Sequence, residues 1–203
     1  MVSIRTLVSS AVAMLAVPAL AAIPPAEVVN NIKTLTAKSQ ALQAPAQTIS
    51  IINGPLIIIG QGPFPKIIAG FADIVSTATT AISGMKNPGP ITAPADATAI
   101  AEAFRDFVRV HQALLNILIG KAGLFTTVPL IGAPVAAVLR QVEGVVDTIA
   151  FSLIDSVEVT AQKNSIQQDS NSLHATIELS INNYEGVVTV NTNIKREAKV
   201  FVA

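Results

Sequence analysis

Large aliphatic side chains recur along this chain at alternating steps of three and four residues, and prolines and glycines cut the pattern into separate pieces. Steps of three and four place side chains on one face of an α-helix, so each piece is expected to fold as a helix with one face to bury. The first piece follows Pro24 and Pro25 and carries Val28, Ile32, Leu35, Ser39 and Leu42, with Pro45 expected to end or kink it. The second starts at Lys66, with Ile68, Phe71, Val75, Ala78 and Ile82 on one face, and stops near Gly84. The third opens at Asp96, a cap or first-turn residue whose charge suits the helix dipole, and carries Ile100, Phe104, Phe107, His111, Leu114 and Leu118. The fourth is expected from about Val135 to Lys163, with Val135, Val138, Val142, Val145, Ile149, Leu153 and Val157 aligned. The fifth is expected over Ser165 to Glu185, with Ile166, Ser170, Leu173, Ile177, Ile181 and Tyr184 aligned, and Gly186 as its stop. Beyond Gly186 the pattern alternates and loses its helical stripe. The expected fold is therefore all-α, an antiparallel bundle of about five amphipathic helices over residues 22–186, with a non-helical, peripheral or disordered tail over 187–203.

The start of the chain reads as an export signal. Arg5 is followed by an apolar stretch from Leu7 to Val17, then by Pro18 and a small-residue site at Ala19-Leu20-Ala21, so residues 1–21 are expected to be removed and the protein secreted. That stretch is too short to anchor the chain across a bilayer, which takes roughly 20 residues. The chain has no cysteine, so an exported domain of this sequence is held by packing alone or by packing plus a bound ligand. Its 51% hydrophobic and 13% charged residues argue against disorder. Its net charge of zero, with no basic face, leaves no electrostatic footprint for nucleic acid.

Residues for catalysis are scarce. There is no G-x-S-x-G elbow, no cysteine nucleophile, no phosphate-binding loop and no metal-binding H-E-x-x-H, so neither catalytic residues, nor a metal site, nor a cofactor is expected. Of the two histidines, His111 sits on the apolar stripe of the third helix and reads as a core residue with one hydrogen bond or as a polar anchor for a ligand headgroup; His174 reads as solvated. The carboxylate pairs Glu102/Asp106 and Glu143/Asp147 have arginines nearby and read as surface ion pairs.

The unusual feature is apolar material between the helices, where loops normally face water. Leu56, Ile57, Ile58 and Ile59 form a continuous run between Asn53-Gly54-Pro55 and Gly60-Gln61-Gly62-Pro63, followed by Phe64, and a second such region holds Phe125, Val128, Leu130 and Ile131. Either these segments fold back as lids over the core, or they form an apolar region that is exposed or opens to a guest. A guest among the helices would meet Phe71, Phe104, Phe107, His111, Leu114 and Leu118.

The stretches LQAPAQ, NGPLIIIGQGPFPKIIAGF, FVRVHQALLNILIGKAGLF and VPLIGAPVAAVLRQVEGVVDTIAF, together with the export signal and the cysteine-free helical body, resemble the fungal hydrophobic surface-binding and cell-wall galactomannoprotein family, in a UV-inducible-type secreted branch. The resemblance spans roughly Ala26 to Glu185, and the tail beyond Gly186 does not fit it. It implies secretion to the wall or the medium and adsorption to hydrophobic surfaces; for some relatives it implies recruitment of a secreted polyester hydrolase, and for others a fatty acid carried between helices. The expectation is thus a secreted, non-enzymatic protein that binds hydrophobic surfaces or wall material through apolar loops and helix faces. The alternative is a soluble lipid carrier with its cavity between helices.

Overall fold

The computed structural model of the chain describes residues 23–84, 89–125 and 131–200; the side chains of Pro55, Ile58 and Phe125, and those from Gly186 onward, are outside the description, as is the expected export signal. Five α-helices follow one another: α1 Pro25–Gln47, α2 Pro63–Gly84, α3 Pro94–Ala122, α4 Gly132–Ser156 and α5 Thr160–Val200. Short 3-10 turns occupy Gly54–Ile59 and Gly123–Phe125. Prolines open α1, α2 and α3, where the missing N–H is no loss because the first turn has no intrahelical acceptor for it.

Successive helices run up and down, as expected, but their neighbours in space are not always their neighbours in sequence. Each helix packs chiefly against two others, in the closed order α1, α3, α5, α4, α2 and back to α1. Cross-helix bonds fix the directions. Gln162 reaches Thr98, Gln112 reaches Thr176 and Tyr184 reaches Leu118, so α3 and α5 are parallel. Gln43 to Val110 and Lys121 to Ile49 make α1 parallel to α3. Lys38 to Asp73 with Leu42 against Gly70, and Arg140 to Glu185 with Asp147 beside His174, make the α1/α2 and α4/α5 seams antiparallel. Leu42 lies where a side chain on Gly70 would stand, so the missing Cβ of Gly70 is what lets α1 and α2 approach this closely.

The ring encloses the stripes read from the sequence. Val28, Ile32, Leu35, Ser39 and Leu42 of α1 are buried, as are Ile100, Phe104, Phe107, His111, Leu114 and Leu118 of α3 and the whole expected face of α5 from Ile166 to Tyr184. On α2 the buried line is Ile67, Phe71, Ile74, Ala78 and Ala81, one position ahead of the expected one at three sites, while Ile68, Val75 and Ile82 are only partly buried. Among the described residues α2 is also the one helix long and apolar enough to cross a membrane; here its buried face packs into the ring and Asp73 on it pairs with Lys38.

Three expected boundaries differ. Pro45 does not end α1, which continues to Gln47, because a proline in the last turn displaces little of the hydrogen-bond ladder. The single helix expected from Val135 to Lys163 is interrupted at Val157–Val159. There Ile91 donates its N–H to Ser156 O and accepts from the Glu158 N–H, replacing the helical ladder by a short parallel bridge to Val157. The chain after Gly186, expected to be non-helical, continues the α5 backbone to Val200. A glycine within a helix costs only about 1 kcal/mol relative to alanine, and no proline follows to stop it.

Candidate functional site

The interior and one end of the ring are chemically opposite. Inside, at mid-height, His111 of α3 is fully buried among Phe107, with ring centres 5.2 Å apart, and Phe71, edge-on at 6.0 Å. Phe104 extends the cluster, 6.2 Å from Phe107. Ser39, the one polar residue on the buried stripe of α1, lies opposite, with its Oγ 2.9 Å from His111 Nδ1 and 2.9 Å from Leu35 O. His111 Nε2 is buried with no hydrogen-bond partner. Burial disfavours the charged imidazolium and lowers the His111 pKa to about 4. Toward the far end of α3, Tyr184 donates its hydroxyl to Leu118 O at 3.0 Å, and burial pushes its phenol pKa up.

This is a Ser–His contact, but not an activated nucleophile. The serine is sealed in the core, and no carboxylate orients the imidazole among the bonds that His111 makes. The sequence placed both residues on buried stripes without pairing them. The signal was there in principle: each is the polar interruption near the middle of its stripe.

The connection from α1 to α2 is the other region. It is a built structure: Asn53 accepts from the Ser50 N–H at 2.9 Å and donates to Thr48 O at 2.7 Å. Gly54, Leu56, Gly60 and Gln61 N–H groups bond back to Ser50, Asn53, Ile57 and Leu56 carbonyls. Gly62 takes φ 86°, with Asn53 O only 3.1 Å from where a Cβ would stand, so only glycine fits. Lys121 at the end of α3 donates to Ile49 O at 2.9 Å and ties the loop to the ring. With its backbone so occupied, the loop turns Ile49 inward, as α2 does Phe64 in its first turn, and leaves Ile51, Ile52, Leu56 and Ile59 at 61%, 89%, 38% and 65% exposure.

The thirteen residues expected to meet a ligand therefore divide. Phe64, Phe71, Phe104, Phe107, His111, Leu114 and Leu118 come together in the interior. Leu56 and Ile59 face outward and Ile57 is half-buried against the core. Ile58 and Phe125 are described in backbone only, and Leu130, with Val128, lies outside the described residues. The loop therefore packs some apolar side chains against the core and exposes others. Ile51 and Ile52 were not among the candidates.

Elsewhere, the arginines beside the two expected carboxylate pairs bond to other carboxylates. Arg105 reaches across to Asp169 on α5, and Arg140 to Glu185. Glu143 and Asp147 instead face His174 Nδ1 at 3.8 and 3.4 Å, with Glu178 3.7 Å from Nε2. Beside this cluster a groove of about 260 Å³ runs between α4 and α5, lined by Phe151, Ile154, Gln167 and Asn171.

No protein-family model and no curated protein matches the chain. Solved structures do. The chain superposes on Afmp4p in complex with palmitic acid with a TM-score of 0.69 at 16% identity, over 79% of this chain and 99% of that one. It also superposes on ligand-binding domain 2 of the Penicillium marneffei MP1 protein, complexed with multiple arachidonic acids, at 0.62 and 17% identity, over 79% of this chain and 94% of that one. Domain 1 of the same protein, with arachidonic acids, gives 0.62 at 14% identity over 78% and 95%. At these identities the likeness is one of fold.

Proposed function

We propose that this chain is an exported, non-enzymatic lipid-binding protein that takes a fatty acid between the helices of its ring. The observation that carries the reading is the fold match: it spans nearly the whole length of domains solved with palmitic or arachidonic acid. The mainly apolar interior of the ring, with His111 and Ser39 as polar residues in its middle, supports the same reading. This reverses the order of the two sequence readings, putting the lipid carrier ahead of the surface binder. Export rests on the signal-like residues 1–21, the extracellular or cell-wall location follows from it, and the family resemblance stands as our view of the lineage.

The test is native mass spectrometry of the secreted protein, followed by delipidation and re-addition of palmitic acid. Copurified fatty acid is expected, together with a rise in stability of about 2.7 kcal/mol at a free lipid concentration a hundred times Kd. Absence of lipid together with no thermal shift on adding it would overturn the reading.

A second reading keeps the surface function. Ile51, Ile52, Leu56 and Ile59 form an outward apolar group at one end, suited to hydrophobic surfaces or wall material and to presenting a secreted polyester hydrolase there. Depletion from solution by polyester film, for the natural chain against Ile52→Asn/Ile59→Asn, decides this; equal depletion removes it.

A further inference from the structure

The buried Ser39–His111 pair determines what kind of headgroup the interior accepts. Two contacts, Ser39 Oγ to Leu35 O and Ser39 Oγ to His111 Nδ1, are each 2.9 Å long, and the hydroxyl has one hydrogen. The carbonyl has none to give. Were the hydroxyl hydrogen on the histidine side, two oxygens would face each other at 2.9 Å with no proton between them, which is repulsive. The hydroxyl therefore donates to Leu35 O, and His111 donates Nδ1–H to Ser39. That fixes the tautomer and leaves Nε2 as a bare acceptor. Gln162 Oε1 and Ser180 Oγ are also buried without a partner, but His111 Nε2 is the orphan on a ring whose other nitrogen is already bonded. The imidazole is held by Ser39 and cannot turn away.

We infer that His111 Nε2 is the polar anchor of the interior and that it selects a lipid whose headgroup donates a hydrogen, the neutral acid form of a long-chain carboxylic acid. The inference rests on the lipid-binding reading and adds the headgroup chemistry to it. An anionic carboxylate does not suit the site: it has no hydrogen for the nitrogen lone pair, and Ser39, Phe71 and Phe107 around the ring bring no positive charge. An acid O–H aimed at Nε2 satisfies both partners, and its chain lies among the apolar side chains. The low basicity of the buried imidazole keeps the shared proton mainly on the acid oxygen. Ser39 is a positioning residue, acting through the tautomer.

Palmitic acid, hexadecanol and methyl palmitate separate the possibilities, since the alcohol keeps an O–H and the ester has none. For the natural chain the acid is expected to bind about tenfold tighter than the ester, the worth of one buried hydrogen bond, with the alcohol between them. In His111→Phe the acid and ester are expected to agree within about threefold. Nitrogen NMR of the histidine-labelled natural chain needs no variant that might misfold: lipid-free protein should show protonated Nδ1 and bare Nε2, and palmitic acid should shift Nε2 while methyl palmitate, with no O–H to donate, leaves it. Equal binding of acid and ester, a protonated Nε2 in the lipid-free protein, or an Nε2 signal unmoved by the acid overturns the anchor while leaving lipid binding intact. Binding of none of the three lipids overturns both.

Discussion

The interior around His111 and the loop from Thr48 to Gly62 reverse each other's chemistry. The interior is apolar and closed, yet His111 Nε2 within it stands without a partner. The loop stands at the surface with its backbone polar groups bonded among themselves, yet turns four aliphatic side chains to water. A core normally satisfies its polar groups and a surface normally avoids clustered aliphatics. Under the proposed function both departures are met by material outside the polypeptide, a headgroup inside and an apolar phase at the end, but they differ in what they contribute to folding.

That difference is open to attack. Truncating the interior should do most harm: Phe71→Ala or Phe104→Ala removes a fully buried ring and is expected to cost about 3–5 kcal/mol in urea unfolding. A smaller effect would mean that the interior already has slack. Next comes pH. His111 titrates near 6.5 when unfolded and near 4 when folded, so the unfolded chain binds the proton first. Stability from this group is complete above 6.5 and is lost as pH falls toward 4, by roughly 3 kcal/mol, after which the loss levels off. Comparing the pH dependence of unfolding with that of His111→Phe isolates this contribution from the carboxylates; identical profiles would contradict the dry interior.

The loop should respond less. Asn53→Ala removes two bonds that fold it and is expected to cost about 1–2 kcal/mol. Ile52→Asn should change stability by less than about 0.5 kcal/mol, because the side chain is 89% exposed. If Ile52→Asn destabilised the protein as strongly as a core truncation, the loop would be part of the core and the contrast would fail.

How far the sequence reveals these regions depends on how local each determinant is. The stripes of α1, α3 and α5 are legible because an unbroken line of mostly apolar residues at steps of three and four runs along one phase of each helix, and that line is buried. On α2 the phase is ambiguous, since Ile67-Ile68, Ile74-Val75 and Ala81-Ile82 are adjacent apolar pairs and only packing against α1 and α4 chooses between them. The break between α4 and α5 is not legible, because Ile91, far away in sequence, supplies the bonds that replace the helix. The same holds for the site. Each interior side chain is readable as buried, but the Ser39–His111 pairing depends on α1 lying parallel to α3, which periodicity does not encode. In the loop, the run Leu56–Ile59 announces apolar material, while its division into inward and outward side chains is set by Asn53 and the two left-handed glycines, Gly60 and Gly62.

The claim on which the account depends is that a fatty acid enters the ring and does not merely coat its end. Methyl-labelled protein titrated with palmitic acid reads this directly. The account predicts magnetisation transfer from the lipid chain to the methyl groups of Leu114 and Leu118; transfer confined to Ile51, Ile52, Leu56 and Ile59, with the interior methyls unmoved, would contradict it.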